Sequence, residues 1–465
     1  MSHIAIVLAA GQGTRMRSPL AKVLHPMAGR PMLDWVLASV EATRPVRTVV
    51  VVGHEAEAVA TTLPPGVEAC LQDRRLGTGH AVSLALARQA PLDPSTAVLV
   101  VPGDTPLVSG EALAGLLGRH RETGAAVTLL TARVADPTGY GRVVRGPGGA
   151  VMSIVEDRDA DEATRAVAEV NAGMYVFTAG LLAEDLAVLR PDNTQGEYYL
   201  TDVIRLHTRR GERVEAVEAA EEEVAGVNTQ AQLAAAEAVL RRRILERWMG
   251  EGVRVIDPGR VYLDHEVTLA GGVTLYPGVH LEGATVVEAG AVVGPEVFAV
   301  DSRIGPGAHV WYSVLRRAEV GENAEVGPYA SLRPGTVLRA RAKAGTFVEM
   351  KNTEVGEGGK VPHLAYLGDA TVGERANVGA GTITCNYDGY EKHRTEIGAG
   401  AFIGSDTMLV APVSVGEGAV TGAGSVITRD VAPGALAVER GEQKEIPGYA
   451  GRRAARHRAG RRDEG

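Results

Sequence analysis

The stretch "IGAGAFIGSDTMLVAPVSVGEGAVTGAGSVI", residues 397–427, decides how the second half of this chain is read. Ile397, Ile403, Leu409, Val415, Thr421 and Ile427 recur every sixth position. Gly398, Gly404, Gly416 and Gly422 follow four of them. Six is neither the helical period nor a simple strand alternation. It is the mark of a hexapeptide parallel β-helix, in which each hexad gives one strand and one corner and three hexads close a coil. The aliphatic residue points inward. The glycine after it is expected to supply backbone freedom at the corner.

The same beat extends upstream. Val320, Val326, Leu332 and Leu338 keep it, with Gly321 and Gly327 behind the first two, and so do Val261, Val267, Val273 and Val279. Residues 251–465 therefore read as an all-β parallel β-helix domain with a C-terminal tail. Coils contact only their neighbours, so such a domain lengthens without a large globular core. The tail "GRRAARHRAGRRDEG" is basic and reads first as a solvated arm.

Residues 1–228 carry a different pattern. Ile4–Leu8, Thr48–Val52 and Ala97–Val101 are apolar runs of buried-strand length, separated by helical stretches such as Met32–Glu41 and Gly79–Arg88. This alternation predicts an α/β Rossmann-like domain whose mostly parallel sheet is covered on both faces. Ligands of such sheets bind at the carboxyl ends of the strands. Between the two domains, residues 229–250 read as a linker helix. Leu233, Ala236, Leu240, Ile244 and Trp248 form one apolar stripe along it. At 1.5 Å per residue it spans roughly 30 Å. A spacer between domains and an ordinary last helix of the first domain are both open readings.

A chain of 465 residues is too long for one ordinary core. Aromatics make up only 4%, so Val, Ile, Leu and Ala must fill the interior, and 58 glycines suit many turns or a repeat. A net charge of −9 gives no general affinity for nucleic acid. Two cysteines, Cys70 and Cys385, make no disulfide framework and suit a reducing compartment. No apolar run approaches the ~20 residues that cross a bilayer, and "MSHIAIVLAAGQG" lacks the basic start of a signal peptide. The expectation is a cytoplasmic protein without membrane or nucleic-acid partners.

Two stretches carry chemistry. "LAAGQGTRM", Leu8–Met16, follows a buried strand, and Lys22 comes soon after. Its glycines let backbone N–H groups approach phosphate oxygens, and Arg15 and Lys22 add positive charge. The string lacks the G-K-[ST] ending of a P-loop, and Met16 stands where a dinucleotide fingerprint has its third glycine. "VVPGDTPL" puts Asp104 at a strand's carboxyl end, where a carboxylate suits Mg²⁺. "QDRRLGTGHA" adds Gln72, Gly77 and Thr78 before a helix. In the repeat, residues 333–394 loosen the six-residue beat. Arg333, Lys351, His363, Tyr366, Asn377, Asn386 and Tyr387 cluster there, and a loop interrupts the coil at about Asn386–Thr395. Insertions in solenoids tend to fall on the binding face. Two cations suit a sugar phosphate, amides and a phenol suit hydroxyls, and an imidazole suits proton removal from an amine.

With "GYGRVV", "IVEDRDA", "EVNAGMYVF", "EYYLTDVI" and "GVNTQAQL" in order, the chain resembles the sugar nucleotidyltransferases. Over about residues 3–450 it resembles the bacterial bifunctional N-acetylglucosamine-1-phosphate uridylyltransferases/glucosamine-1-phosphate N-acetyltransferases. Pro102 precedes Gly103 where some relatives carry an aromatic residue. The resemblance implies a left-handed β-helix and a homotrimer with the acetyl-transfer site between subunits. The small-molecule substrates would be glucosamine-1-phosphate, acetyl-CoA, N-acetylglucosamine-1-phosphate and UTP, with Mg²⁺ for uridylyl transfer. The product would be UDP-N-acetylglucosamine, a precursor of peptidoglycan and, where present, lipopolysaccharide.

Residue by residue, it implies that Leu8, Ala9, Gly11, Gly13, Gln72, Gly77 and Thr78 bind UTP and that Arg15 and Lys22 offset triphosphate charge. Gly141, Glu156 and Asn171 would bind the acetylated sugar, and Asp104 and Asn228 the Mg²⁺. In the repeat, His363 would be the general base and Glu349 its orienting partner. Arg333 and Lys351 would grip phosphate, and Tyr366 and Asn377 the sugar. Ala380, Asn386, Tyr387, Ser405, Ala423 and Arg440 would contact acetyl-CoA. Two other readings remain: a single-activity sugar nucleotidyltransferase with a structural or regulatory β-helix, and a non-catalytic scaffold. His363 with Lys351 argues against the first, and Arg15, Lys22 and Asp104 together against the second.

Overall fold

The computed structural model describes residues 2–89 and 91–460. Their contacts cluster into two units, one running to Arg247 and including Leu263–His265, the other holding Trp248–Tyr262 and the chain from Glu266 onward.

The first unit is built on a nine-stranded sheet. Its strands are β1 (His3–Ala9), β2 (Arg47–Val52), β3 (Val67–Leu71), β4 (Ala97–Pro102), β5 (Val127–Arg133), β6 (Arg142–Arg145), β7 (Val151–Val155), β8 (Glu169–Thr178) and β9 (Val214–Glu218). The order is β9-β5-β8-β4-β1-β2-β3, with β6 joining β8 and β7 joining β6. β1 is parallel to both β2 and β4, while β8 runs antiparallel between β4 and β5. Alternate residues of β1 enter different cores. Ala5, Val7 and Ala9 pack on one face with Leu33 and Val36, and Ile4 and Ile6 pack on the other with Ala81 and Val82. Both faces are thus covered, as a mostly parallel sheet requires. The chain leaves β1 toward β2 and returns to β1's other edge as β4, so a crevice opens at the carboxyl ends of β1 and β4.

The helix Gln230–Gly250 forms as its stripe predicts. Leu233, Ala236 and Leu240 pack with Met16, Met27, Met32, Leu107 and Val227, so this part serves as the first unit's last helix.

The second unit is a left-handed parallel β-helix. Its strands form three sheets of eleven, ten and nine, and down to the last coil each strand pairs in parallel with the third strand after it. All fourteen residues of the three six-residue registers are buried. Fully burying one such aliphatic side chain stabilises by about 1.5–3 kcal/mol. Each hexad also has a second inward position two residues earlier, often small: Ala401 before Ile403, Ala419 before Thr421, Ala324 before Val326. A helix long and apolar enough to cross a membrane is absent among the described residues.

The glycines after the inward residues differ from expectation. Gly321, Gly398, Gly404, Gly416 and Gly422 do not adopt positive φ, and only Gly327 does. Their need is space. A Cβ on Gly398 would lie 2.5 Å from Glu417 N, and one on Gly404 2.5 Å from Thr421 O, because the next coil's backbone passes directly over them. The left-handed corner falls three residues after the inward one: Asn323, Tyr329, Gly400, Asp406, Gly418 and Gly424. Gly404→Ala is therefore expected to destabilise the second unit by about 1–3 kcal/mol, since no flexible side chain can yield. Gly400→Ala, in open space at φ 64°, should cost about 1 kcal/mol from backbone strain alone. Denaturant midpoints followed by circular dichroism check this, and equal midpoints for Gly404→Ala and wild type would refute the close-approach reading.

Candidate functional site

The crevice of the first unit is a cleft of about 660 Å³. Its walls include Leu8, Ala9 and Gly11 from the end of β1, Gln72, Gly77 and Thr78 after β3, and Asp104 after β4. Gly141, Glu156 and Asn171 line it as well. A Cβ on Gly11 would meet nothing within 4 Å, so this wall is open to a ligand. Gly77 has a structural reason to be glycine: its φ is 106° and a Cβ would sit 2.6 Å from Tyr198 O. Gly103 N donates to Leu8 O at 2.8 Å, tying the two strand ends that carry the site.

Lys22 lies at the centre of the polar wall. Its ammonium pairs with Asp104 Oδ2 and donates to Asn228 Oδ1 at 3.2 Å. One cation thus touches both a carboxylate and an amide oxygen drawn from distant parts of the chain. Among the described residues no three His, Cys, Asp or Glu side chains gather as a metal site. The Asp104–Asn228 oxygens fit a small hard cation that completes its shell with water or phosphate.

At the other end of the cleft a bulge in β8 turns Asn171–Gly173 inward. Asn171 N donates to Gly141 O at 2.8 Å, and a Cβ on Gly141 would lie 3.5 Å from Glu156 Oε2. These three residues therefore form one surface. Thr201 Oγ1 donates to Glu156 Oε1 at 3.0 Å, and Asn171 Nδ2 donates to the buried Tyr175 hydroxyl at 2.7 Å. Burial pushes the Glu156 carboxyl above the usual range, with Asp159, Asp202 and Asp157 adding to the rise against the Thr201 bond. Thr201, Tyr175 and Tyr140 also line the cleft and were not singled out from sequence. They sit in strings where only context separates a binding residue from a core one.

Two expected members stand apart. Arg15 is exposed and borders a separate shallow groove with Arg17, Thr229 and Gln230. Gly13 is not on the cleft wall: at φ 61° it packs against Lys22, whose Cβ would lie 2.6 Å from a Cβ there. Its smallness makes room for the lysine.

In the second unit, strand pairing places the candidates on and around one face of the prism, with His363 at the corner that opens it and Lys351 and Asn386 at the corner that closes it. Lys360 aligns with Asn377, Asn377 with Phe402 and Phe402 with Val420. Counting three residues on, the same register puts His363, Ala380, Ser405 and Ala423 in one row on successive coils. Arg440 Nη1 donates to Ala423 O at 3.0 Å and extends the row. Across the corner, Glu349 aligns with Tyr366, and Lys351 with Gly368. Arg333 N donates to Met350 O at 2.8 Å, which sets Arg333 beside Lys351 one coil earlier. His363 is exposed at the end of its strand. Glu349 Oε1 accepts from Arg333 Nη1 at 2.8 Å. Tyr312, Tyr329, Phe347 and Leu364 form an exposed apolar column at this corner, with the first three rings in contact.

The loop begins where expected. Asn386 is buried and Tyr387 exposed, and Tyr387 bridges back to Lys392. Asp388 accepts from Tyr390 N and Glu391 N and faces His393 Nε2 at 2.8 Å, which holds its carboxyl far below the usual range. The neighbouring Lys392 side chain pulls the Lys351 ammonium below the ordinary lysine value. Asp369 and Lys392 were missed from sequence. Asn352, Asp369 and Asn386 lie seventeen residues apart, one polar corner on three coils. That recurrence was a readable signal.

Comparison with known proteins agrees with both halves. The family described as "MobA-like NTP transferase domain" matches residues 5–193, and "Bacterial transferase hexapeptide (six repeats)" matches residues 394–429. The Bifunctional protein GlmU of Streptomyces avermitilis is 50% identical over 453 residues, covering 96% of this chain and 94% of that protein. The Bifunctional protein GlmU of Streptomyces coelicolor is 49% identical over 454 residues, covering 96% and 94%. That of Heliobacterium modesticaldum is 48% identical over 452 residues, covering 97% and 98%. With a nucleotidyltransferase-type cleft, a hexapeptide prism and near-full-length identity at this level, the chain belongs to the bifunctional GlmU family.

Proposed function

We propose that the first unit's cleft transfers UMP from UTP to N-acetylglucosamine-1-phosphate, and that the His363 corner acetylates glucosamine-1-phosphate from acetyl-CoA. The chain is a bifunctional transferase of UDP-N-acetylglucosamine synthesis. The observation that carries the assignment of residues is the presence of two chemically unlike sites: Lys22, Asp104 and Asn228 converging in one unit, and His363 at the end of one prism face with Arg333 and Lys351 on the adjacent face in the other.

In uridylyl transfer a sugar-phosphate oxygen attacks the α-phosphorus of UTP, the new P–O bond forms, and pyrophosphate leaves. No protein nucleophile is required, since the attacking group is already anionic. The obstacles are repulsion between anions and charge gathering on the leaving group, which positioned cations relieve. Ala9, Gly11, Gln72 and Thr78 hold the nucleoside end. Glu156, Asn171 and Gly141 orient the acetylated sugar, with Thr201 and Tyr175 fixing the two side chains. Lys22 neutralises phosphate charge, and Arg15 does so from the groove beside the cleft. Asp104 and Asn228 would hold Mg²⁺, whose chemistry there is to withdraw charge from the phosphate oxygens.

In acetyl transfer the sugar amine attacks the thioester carbonyl. The C–N bond forms, the C–S bond breaks, and His363 takes the amine proton, which returns to the departing thiolate. Arg333 and Lys351 grip the phosphate, Tyr366 and Asn377 hold the sugar, and the acyl donor lies along Ala380, Ser405, Ala423 and Arg440 with Asn386 and Tyr387 at its side. The exposed column from Tyr312 to Leu364 supports assembly into a homotrimer that covers this corner. Both cosubstrates are cytoplasmic metabolites, which supports a cytoplasmic location.

The test is a full-chain assay with glucosamine-1-phosphate, acetyl-CoA and UTP, reading UDP-N-acetylglucosamine by mass. Product should require all three, while supplying N-acetylglucosamine-1-phosphate should remove the need for acetyl-CoA. Light scattering on the same sample should give three chains per particle. Failure to form product from N-acetylglucosamine-1-phosphate and UTP refutes the first site, and failure to form it from the unacetylated sugar refutes the second.

A further inference from the structure

Asp369 touches both ends of the inserted loop. Its Oδ2 accepts from Asn386 Nδ2 at 2.5 Å where the loop begins, and its backbone oxygen accepts from Thr395 N at 3.1 Å where the loop returns. Its Oδ1 accepts from Asn352 Nδ2 at 2.7 Å on the preceding coil, and its backbone N–H donates to Lys351 O at 3.0 Å. The residue is buried and holds a left-handed backbone, φ 51°, directly above Asn352 at φ 47°. Burial favours the neutral acid, yet the Asn352 and Asn386 bonds and the Lys351 and Lys392 charges hold the Asp369 carboxyl below the usual carboxylate range.

We infer that Asp369 is a positioning residue for acetyl transfer, a clamp that fixes the loop carrying Asn386, Tyr387 and Lys392 against the coil that carries Lys351. This rests on the acetyl-transfer reading of the His363 corner. The chemistry of the clamp is specific. Both amide hydrogens of a primary amide lie on one nitrogen, so drawing Asn386 Nδ2 onto Asp369 turns the Asn386 carbonyl oxygen the other way, as an acceptor. The carboxylate also sets a negative charge beside two lysines that repel each other and that the loop brings together. An amide at position 369 keeps the size but removes the charge and cannot accept from both Asn352 and Asn386 through two oxygens.

Asp369→Asn in the full-length chain is compared with Asn352→Ala, which removes the bond on the far side and sets an alanine in left-handed backbone at φ 47°. The melting transition of the second unit, which holds Asp369 and has its own core, followed by circular dichroism, reports that the variant's β-helix is folded. Asp369→Asn is expected to raise KM for glucosamine-1-phosphate and for acetyl-CoA at least about tenfold, and to speed hydrogen exchange over residues 386–395. Asn352→Ala is expected to lower the melting temperature while leaving both KM values within about twofold. The inference is overturned if Asp369→Asn keeps wild-type KM values, if its loop stays as protected as in wild type, or if Asn352→Ala reproduces the KM changes. A wild-type chain that fails to acetylate at all would instead remove the reading on which the inference stands.

Discussion

Asp104→Ala is expected to lower uridylyl transfer by about a thousandfold or more and to leave acetyl transfer unchanged. Asp104 is the carboxylate of the pair of oxygens that meet at Lys22. Without it, Asn228 alone presents a neutral amide, too weak to retain a divalent cation beside phosphates. The Lys22 ammonium also loses the partner that places it. Both losses act on charge that develops at the phosphates, so the effect should fall mainly on kcat. The melting transition of the first unit, compared with wild type, separates chemistry from misfolding, and the acetyl-transfer rate of the same preparation shows that the second unit is untouched. Uridylyl activity within tenfold of wild type would sink the assignment, and loss of both activities would mean that the chain had unfolded.

His363→Ala should lower kcat for acetyl transfer by about 10²–10⁴, the usual worth of a positioned general base, with KM for glucosamine-1-phosphate little changed. Arg333 and Lys351, which hold the phosphate in this reading, stand on a neighbouring face and do not depend on the imidazole. The residual rate should rise with pH, because solution must then supply the free amine that His363 would have generated. Steady-state kinetics from pH 6 to 9 (about the range spanning an imidazole and an amine) checks both statements. A variant that acetylates at the wild-type rate removes His363 from catalysis.

The architecture was legible because period is a global signal. Six-residue spacing survives local irregularity, and every member of the three registers is buried. The role of the glycines was not legible. Gly404 and Gly400 look alike in sequence, yet one is required by the backbone of the next coil and the other by its own φ. That distinction depends on what lies one coil away. The cleft residues Gln72, Thr78 and Asp104 converge because each follows a strand or opens a helix around β1 and β4, and Asn171 joins them from the bulge near the start of antiparallel β8. Arg15 departs because a 3₁₀ turn at Thr14–Met16 buries Met16 and turns its neighbours outward, which a string of letters does not reveal. Asp369 was overlooked for a different reason: its partners stand seventeen residues away in both directions, and a repeat read for its aliphatic beat hides a polar one.

The row that descends from His363 through Ala380 and Ser405 to Ala423 makes the prism a ruler. Adjacent parallel strands are ~4.8 Å apart, so these three steps measure roughly 14 Å, in increments that thermal motion cannot subdivide. An acyl donor laid along them must match that length in whole rungs. Inserting or deleting one coil between His363 and Ala423 would shift the thioester by a full increment, whereas a coil added before Arg254 would leave the scale untouched.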